Sequence, residues 1–316
     1  MKKLNYWLLA LAFLVLLLAG QPVIAASNNI AVVPQITGSH SERFQLIVKP
    51  GTTRKLQVTL TNFAATSQTI VLTPRNATTS AQGKIGFTRA GKLNEAPDFR
   101  QMVTPQRYKL AAHAKKLVTI RLQVPPQKFS GLLIGGLHFY SATDHAAVVD
   151  VPVWLTETNR SVPPRLALAG ITARTYGGQP YLLINLENRS EALLKKVTVD
   201  LKITHAGLLG IGSTTNSFVQ TYPSFAPYTQ LPLVWGRAKN PVQSGRYQIT
   251  GTITSQGKQW SIKQRTVLTR AAAKQANAKA SNLVQDYTWL LLLVIGLLIV
   301  VNVLVIAKII RKYKRR

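Results

Sequence analysis

The 316-residue sequence predicts an all-β protein: two immunoglobulin-like β-sandwich domains in tandem, followed by one transmembrane α-helix. Three observations predict it. An apolar leader opens the chain, and a charge-free run, Trp289 to Ala307, lies near its end. Between them apolar residues recur at every second position, with no convincing amphipathic helix between residues 28 and 270.

The leader begins Met1-Lys2-Lys3, continues through an apolar stretch from Tyr6 to Gly20, and ends in "QPVIAA", where Val23 and Ala25 are the small residues of a cleavage site. Residues 1–25 therefore read as a secretory signal peptide. In the first domain, 28–157, Leu56, Val58 and Leu60 alternate with Lys55, Gln57 and Thr59; Val118, Ile120, Leu122 and Val124 alternate with Thr119, Arg121 and Gln123; Val149, Val151, Val153 and Leu155 form a further set. "TETNRSVPP" at 156–164 is a polar, Pro-ended interruption between halves of comparable size. In the second domain, 162–270, Val197, Val199, Leu201 and Ile203 alternate with polar residues, and "GRYQITGTITSQGKQWSIKQ" reads as a hairpin turning near Gln256-Gly257. Short strands without βαβ alternation argue for antiparallel sandwiches. Residues 271–286, rich in Ala, Lys and Gln, read as a short helix or a flexible stalk. Residues 287–307 then read as a transmembrane helix with Tyr287 and Trp289 at the outer interface. The tail 308–316, "KIIRKYKRR", carries six cations including Lys308 and Arg311, which by the positive-inside rule holds it in the cytoplasm. The expected location is a single-pass cell-membrane protein with its N-terminal region exported into the cell-wall space.

The chain contains no Cys, which fits an exported protein of a Gram-positive bacterium better than an animal ectodomain. Two of its 39 Lys and Arg lie in the leader and six in the tail; the remaining 31, set against 10 Asp and Glu, leave the exported part at +21. Such a surface attracts polyanions, and outside a Gram-positive cell these are anionic wall polymers and peptidoglycan carboxylates, not nucleic acid. The same charge is also what a generally basic proteome would tolerate.

"PPQKFSGLLIGGLHFYS" at 125–141 raises a nucleotide site only to dismiss it. Gly131 and Gly136 have the spacing of a phosphate loop, but Leu137 and His138 follow where Lys and Ser/Thr are needed. Gly135 and Gly136 instead fall inside or at the edge of a strand, where glycine marks a bulge or a close backbone approach, by the chain itself or by a partner. Enzyme readings find little else. The five histidines lack metal-ligand spacing, and no H-E-x-x-H or G-x-S-x-G is present. Asp144-His145 lies in a polar turn, and Glu95 and Asp98 sit in "NEAPDF", a loop or helix cap. The sequence calls for no cofactor and no metal.

The order "FQLIVKPG", "LQVTLTN", "FSGLLIGGLHF", then "LINLEN", "LLKKVTVDLKI", "FAPYTQLPLVW" and "SGRYQITGTI" resembles the WxL-interacting proteins of Gram-positive bacteria. Pro50, Gly51, Asn62, Gly131, Gly135 and Gly136 are the positions in the first domain that carry the resemblance, and they read as structural. The family implies an N-terminal peptidoglycan-binding domain, a C-terminal domain that binds host extracellular ligands, and complexes with WxL-domain surface proteins. "APYTQLPLVW" departs from the family's plainer turn. The two W-x-L matches, Trp7-Leu8-Leu9 and Trp289-Leu290-Leu291, fall in the leader and the apolar run, so this chain is not its own partner type. A chaperone-like role in surface-protein assembly is the alternative, because an immunoglobulin-like pair can offer an edge strand to a client.

Overall fold

The computed structural model describes residues 29–313 apart from 37–41, 91–96, 159, 161, 208–212, 237–239, 282 and 284–287. The expected signal peptide and Tyr287 lie outside these residues. So does Glu95.

The described strands form four sheets around two separate cores. In the first half, β1 (Ile30–Pro34), β3 (Thr53–Asn62) and β7 (Lys115–Gln123) make one sheet, and β2 (Phe44–Ile47), β9 (Val148–Thr156), β8 (Leu132–Ser141), β4 (Gln68–Thr79) and β5 (Ile85–Thr88) make the other, with β6 (Gln106–Leu110) also paired to β4. β2 runs parallel to β9, and the other pairings are antiparallel. The alternating residues do what the period demands. Leu56, Val58 and Leu60 on β3 and Ile120 and Leu122 on β7 meet Leu72, Leu137, Phe139 and Val153 of the facing sheet, all essentially inaccessible.

The second half repeats the plan. β10 (Leu166–Tyr176), β11 (Gln179–Asn188) and β14 (Gln230–Trp235) face β13 (Thr214–Phe225), β12 (Leu194–His205), β15 (Gly245–Ser255) and β16 (Lys258–Leu268). Val197, Val199, Leu201 and Ile203 lie in this core. The β15–β16 hairpin turns at Gln256 and Gly257, both at positive φ, 51° and 74°, as a two-residue primed turn requires.

The stretch read as a stalk begins as a helix, α1 (Arg270–Ala278), docked on the second half. Thr269 caps its start by accepting from the Ala272 N–H at 3.2 Å. Ala273 and Ala276 are buried, and Asn277 exchanges two 2.9 Å hydrogen bonds with the backbone of Val242. Two alanines make too narrow a stripe to stand out by hydrophobicity, yet they let the helix lie close to the sheet.

A second helix, α2, spans Thr288–Tyr313. Its side chains are described over 293–308. Among the described residues no helix is long and apolar enough to cross a membrane. The single-pass membrane location expected from the sequence is corrected on that finding. Trp289 and Arg311 belong to α2 with side chains outside the described set, and Lys308 is exposed on it.

Candidate functional site

The positions that carried the sequence resemblance disperse through the first half. Pro50 and Gly51 form the middle of a turn in which the Thr52 N–H reaches the Lys49 carbonyl at 3.3 Å; Gly51 has φ +72°, the left-handed value that the third position of a type II turn requires. Asn62 ends β3 fully buried. Gly131, at φ +61°, lies against the second half, where an added Cβ would sit 2.5 Å from atoms of both Glu191 and Val162.

Gly135 and Gly136 point to opposite faces of β8. A Cβ on Gly135 would meet the buried ring of Phe99 at 2.0 Å, and one on Gly136 would meet the ring of Phe87 at 2.4 Å. The glycine pair therefore admits one aromatic ring on each side of the sheet, the first from the core and the second on the outer face.

That outer face brings together residues that the sequence leaves apart. β8 pairs with β9 so that His138 faces Asp150, and with β4 so that His138 also faces Thr73. The next row is Arg75, Gly136 and Pro152; Tyr140 lies beside Val71 and Val148, and Trp154 beside Ile134. Nδ1 of His138 is 2.7 Å from Oδ1 of Asp150. His138 is buried while the Asp150 side chain is one-third exposed. Burial lowers the His138 pKa below its ordinary value; the hydrogen bond and charge of Asp150 oppose this, and Arg75 and Arg89 reinforce it. The ring is thus held neutral, with Nδ1–H donating to Asp150 and Nε2 left as an acceptor.

Burial likewise lowers the Arg75 pKa, opposed by Asp150, and the guanidinium stays charged. Two polar atoms of this face, Thr73 Oγ1 and Arg75 Nε, are buried with no hydrogen-bond partner. Aromatic surface surrounds them. The His138 and Tyr140 rings lie 5.7 Å apart, those of Tyr140 and His145 5.8 Å, and Arg43 stacks 4.2 Å above Trp154. Chemically, the face offers a carboxylate acceptor, a fixed cation, a neutral imidazole and flat apolar surface, a combination suited to binding. Among the described residues no group of His, Asp and Glu could hold a metal.

Asp98, a candidate carboxylate, is structural. It caps the 3₁₀ turn Phe99–Gln101, pairs with Arg100 at 2.7 Å, and accepts from Asn76 at 3.0 Å. The Arg100 hydrogen bond, chiefly, holds its carboxyl at about 2.

The chain matches the WxL Interacting Protein peptidoglycan binding domain over residues 30–141. It matches the WxL Interacting Protein host binding domain over residues 145–278. It belongs to the WxL-interacting protein family. The WxL-interacting protein thus carries two domains whose family descriptions are of binding, one toward peptidoglycan and one toward a host. No match was found among curated proteins. Among solved structures, a chain of a chaperone–tip adhesin complex of CFA/I fimbriae is 11% identical, covers 74% of this chain and 98% of its own, and has a TM-score of 0.32. The CupB2 chaperone of Pseudomonas aeruginosa is 10% identical, covers 71% and 97%, and scores 0.30. Likenesses at these values carry no argument about function.

Proposed function

We propose that the first half, an immunoglobulin-like domain, binds peptidoglycan on the outer face of β4, β8 and β9, while the second half, also immunoglobulin-like, holds a host extracellular protein, the whole acting with a WxL-domain surface protein. The observation that carries this reading is the Thr73–His138–Asp150 row beside Arg75, with two buried polar atoms unpaired inside an aromatic surround. A muropeptide has what such a face lacks: sugar rings to lie on Tyr140 and Phe87, hydroxyls for Asp150 and the imidazole, and carboxylates for Arg75. The basic surface supplies salt-sensitive attraction to anionic wall polymers in addition, but charge alone is not recognition.

The test is co-sedimentation of the full chain with peptidoglycan stripped of teichoic acid, at about 0.5 M salt, where surface attraction is screened to a few ångströms. The chain is expected to pellet there, and Asp150→Asn and Tyr140→Ala are each expected to weaken pelleting about tenfold while leaving the thermal midpoint within a few degrees. Full release of the unmodified chain by salt, or undiminished pelleting of both variants, overturns the site.

A further inference from the structure

The two halves meet in a hydrogen-bonded joint, and a cavity of about 370 Å³ opens beside it. Its lining contains three cations, Arg160, Lys195 and Lys258, and one acid, Glu191. Among the described residues none of these four forms an ion pair. Their positions are set by the backbone. Ser255 is buried and donates to the Lys195 carbonyl at 2.7 Å, and it also pairs with Lys258 across the β15–β16 turn, so both lysines stand at one corner of the sheet. The Glu191 carbonyl accepts from the Leu132 N–H at 3.0 Å, which fixes the acid, on the same half as the lysines, where the two halves touch. Val162, Leu193 and the half-buried Trp260 complete an apolar wall.

The volume equals that of about a dozen waters and lies at the small end of ligand pockets, room for one or two residues of a peptide and not for a glycan strand. Three cations against one acid favour an anion, and the apolar wall favours one that carries a side chain. Glu191 offers an acceptor that a peptide meets with an amide N–H. A phosphodiester polymer supplies no apolar side chain for that wall.

We infer that this cleft binds the carboxylate end of a short peptide, with Lys195, Lys258 and Arg160 toward the carboxylate, Glu191 toward an N–H, and Trp260 and Val162 against the side chain. Such an end belongs equally to a wall stem peptide and to the C-terminus of a partner protein. The cleft shares no residue with the sheet-face site, so either can fail alone.

Calorimetric titration of the full chain separates the outcomes. The probes are N-acetyl-Ala-Leu-Ala as free acid and as C-terminal amide, N-acetyl-Lys-D-Ala-D-Ala as free acid, and inorganic phosphate. At least one free acid is expected to bind saturably, and the amide about tenfold more weakly. Lys195→Met and Lys258→Met are each expected to weaken the acid about fivefold, the scale of one partly exposed charge pair, with Lys55→Met on β3 without effect. Preference for the D-Ala acid names the wall as source, and preference for the all-L acid names a protein. Equal binding of acid and amide, phosphate competing as well as peptide, indifference to both lysine variants, or no binding of either acid overturns the proposal.

Discussion

Asn62 and Asn188 show one device used twice. Both are fully buried at the ends of corresponding strands, β3 and β11. The Asn62 amide donates to the Thr66 and Ala111 carbonyls, each at 2.8 Å, while its oxygen accepts from the Ala64 N–H. Asn188 donates to Ala192 at 2.7 Å and Ala226 at 3.0 Å and accepts from the backbone and hydroxyl of Ser190. Each therefore ties its own turn to a distant loop. Replacing either by Ala takes the donor from one carbonyl, Thr66 or Ala192, and leaves the other, Ala111 or Ala226, with its remaining donor, the Ala114 N–H or the Thr229 hydroxyl, at about 1–3 kcal/mol. Asp is expected to be worse than Ala, because an acceptor-only carboxylate would face those carbonyls. Urea unfolding of Asn62→Ala and Asn62→Asp checks this, and an Asp variant as stable as the Ala variant refutes it. The repeated strand-end Asn was visible in "LQVTLTN" and "LINLEN". Its role was not, because the second partner lies 49 residues from Asn62 and 38 from Asn188.

At the scale of elements, strands with regular alternation were legible and a strand whose alternation breaks was not. β7 reads directly, because Val118, Ile120 and Leu122 are buried and their neighbours exposed. β13 shows no such pattern. Its buried Phe218, Tyr222 and Phe225 stand four and three apart, which reads as helical spacing; the first step keeps to one face of the strand, and the second crosses the point opposite Lys196, φ +49°, where alternation breaks. The His138–Asp150 pair was hidden for a related reason. Both interrupt apolar runs at equal distances from the turn at Asp144, but only the β8–β9 register turns that symmetry into contact. The glycine pair in β8 gives this scale its prediction. The Phe99 ring is fully enclosed and cannot retreat, whereas Phe87 is partly exposed and can swing aside. Gly135→Ala is expected to cost about 1–3 kcal/mol by overpacking, and Gly136→Ala clearly less. Combining Gly136→Ala with Phe87→Leu should recover most of the smaller loss, while Gly135→Ala gains nothing from it. Equal destabilisation by the two glycine substitutions in chemical denaturation would show that the two faces are not packed as described.

For the whole molecule, the decisive feature is that the two halves are hydrogen-bonded to each other and not merely tethered. The hydroxyls of Thr79 and Thr229, 150 residues apart, lie 2.6 Å from each other and are both buried. The Thr79 hydroxyl also accepts from the Ala226 N–H at 3.1 Å, while the Gly83 carbonyl accepts from both the N–H and the hydroxyl of Ser224. On the second half Ala226 and Thr229 open "APYTQLPLVW", the stretch that departs from the family's plainer turn, with Tyr228 held at φ +54°, and Ser224 lies just before it. Gly83 shows why the approach is close: its φ is +71°, and a Cβ there would lie 2.7 Å from Tyr222. A polar joint of this kind orients the halves more than it stabilises them, because each bond replaces one to water and contributes only about 1 kcal/mol net. Thr79→Val keeps the volume, removes the shared hydroxyl and leaves the Ala226 N–H unpaired; Gly83→Ala forces the backbones apart. Both variants are expected to leave each core intact and to uncouple them, so that scanning calorimetry of the full chain resolves two transitions more widely separated than in the unmodified protein and small-angle scattering gives a larger radius of gyration. The peptide cleft, walled by both halves, is expected to weaken in the same variants while pelleting with peptidoglycan persists, because the sheet-face site lies wholly on the first half. If the variants unfold and scatter as the unmodified chain does, the linker alone sets the orientation and the joint is incidental.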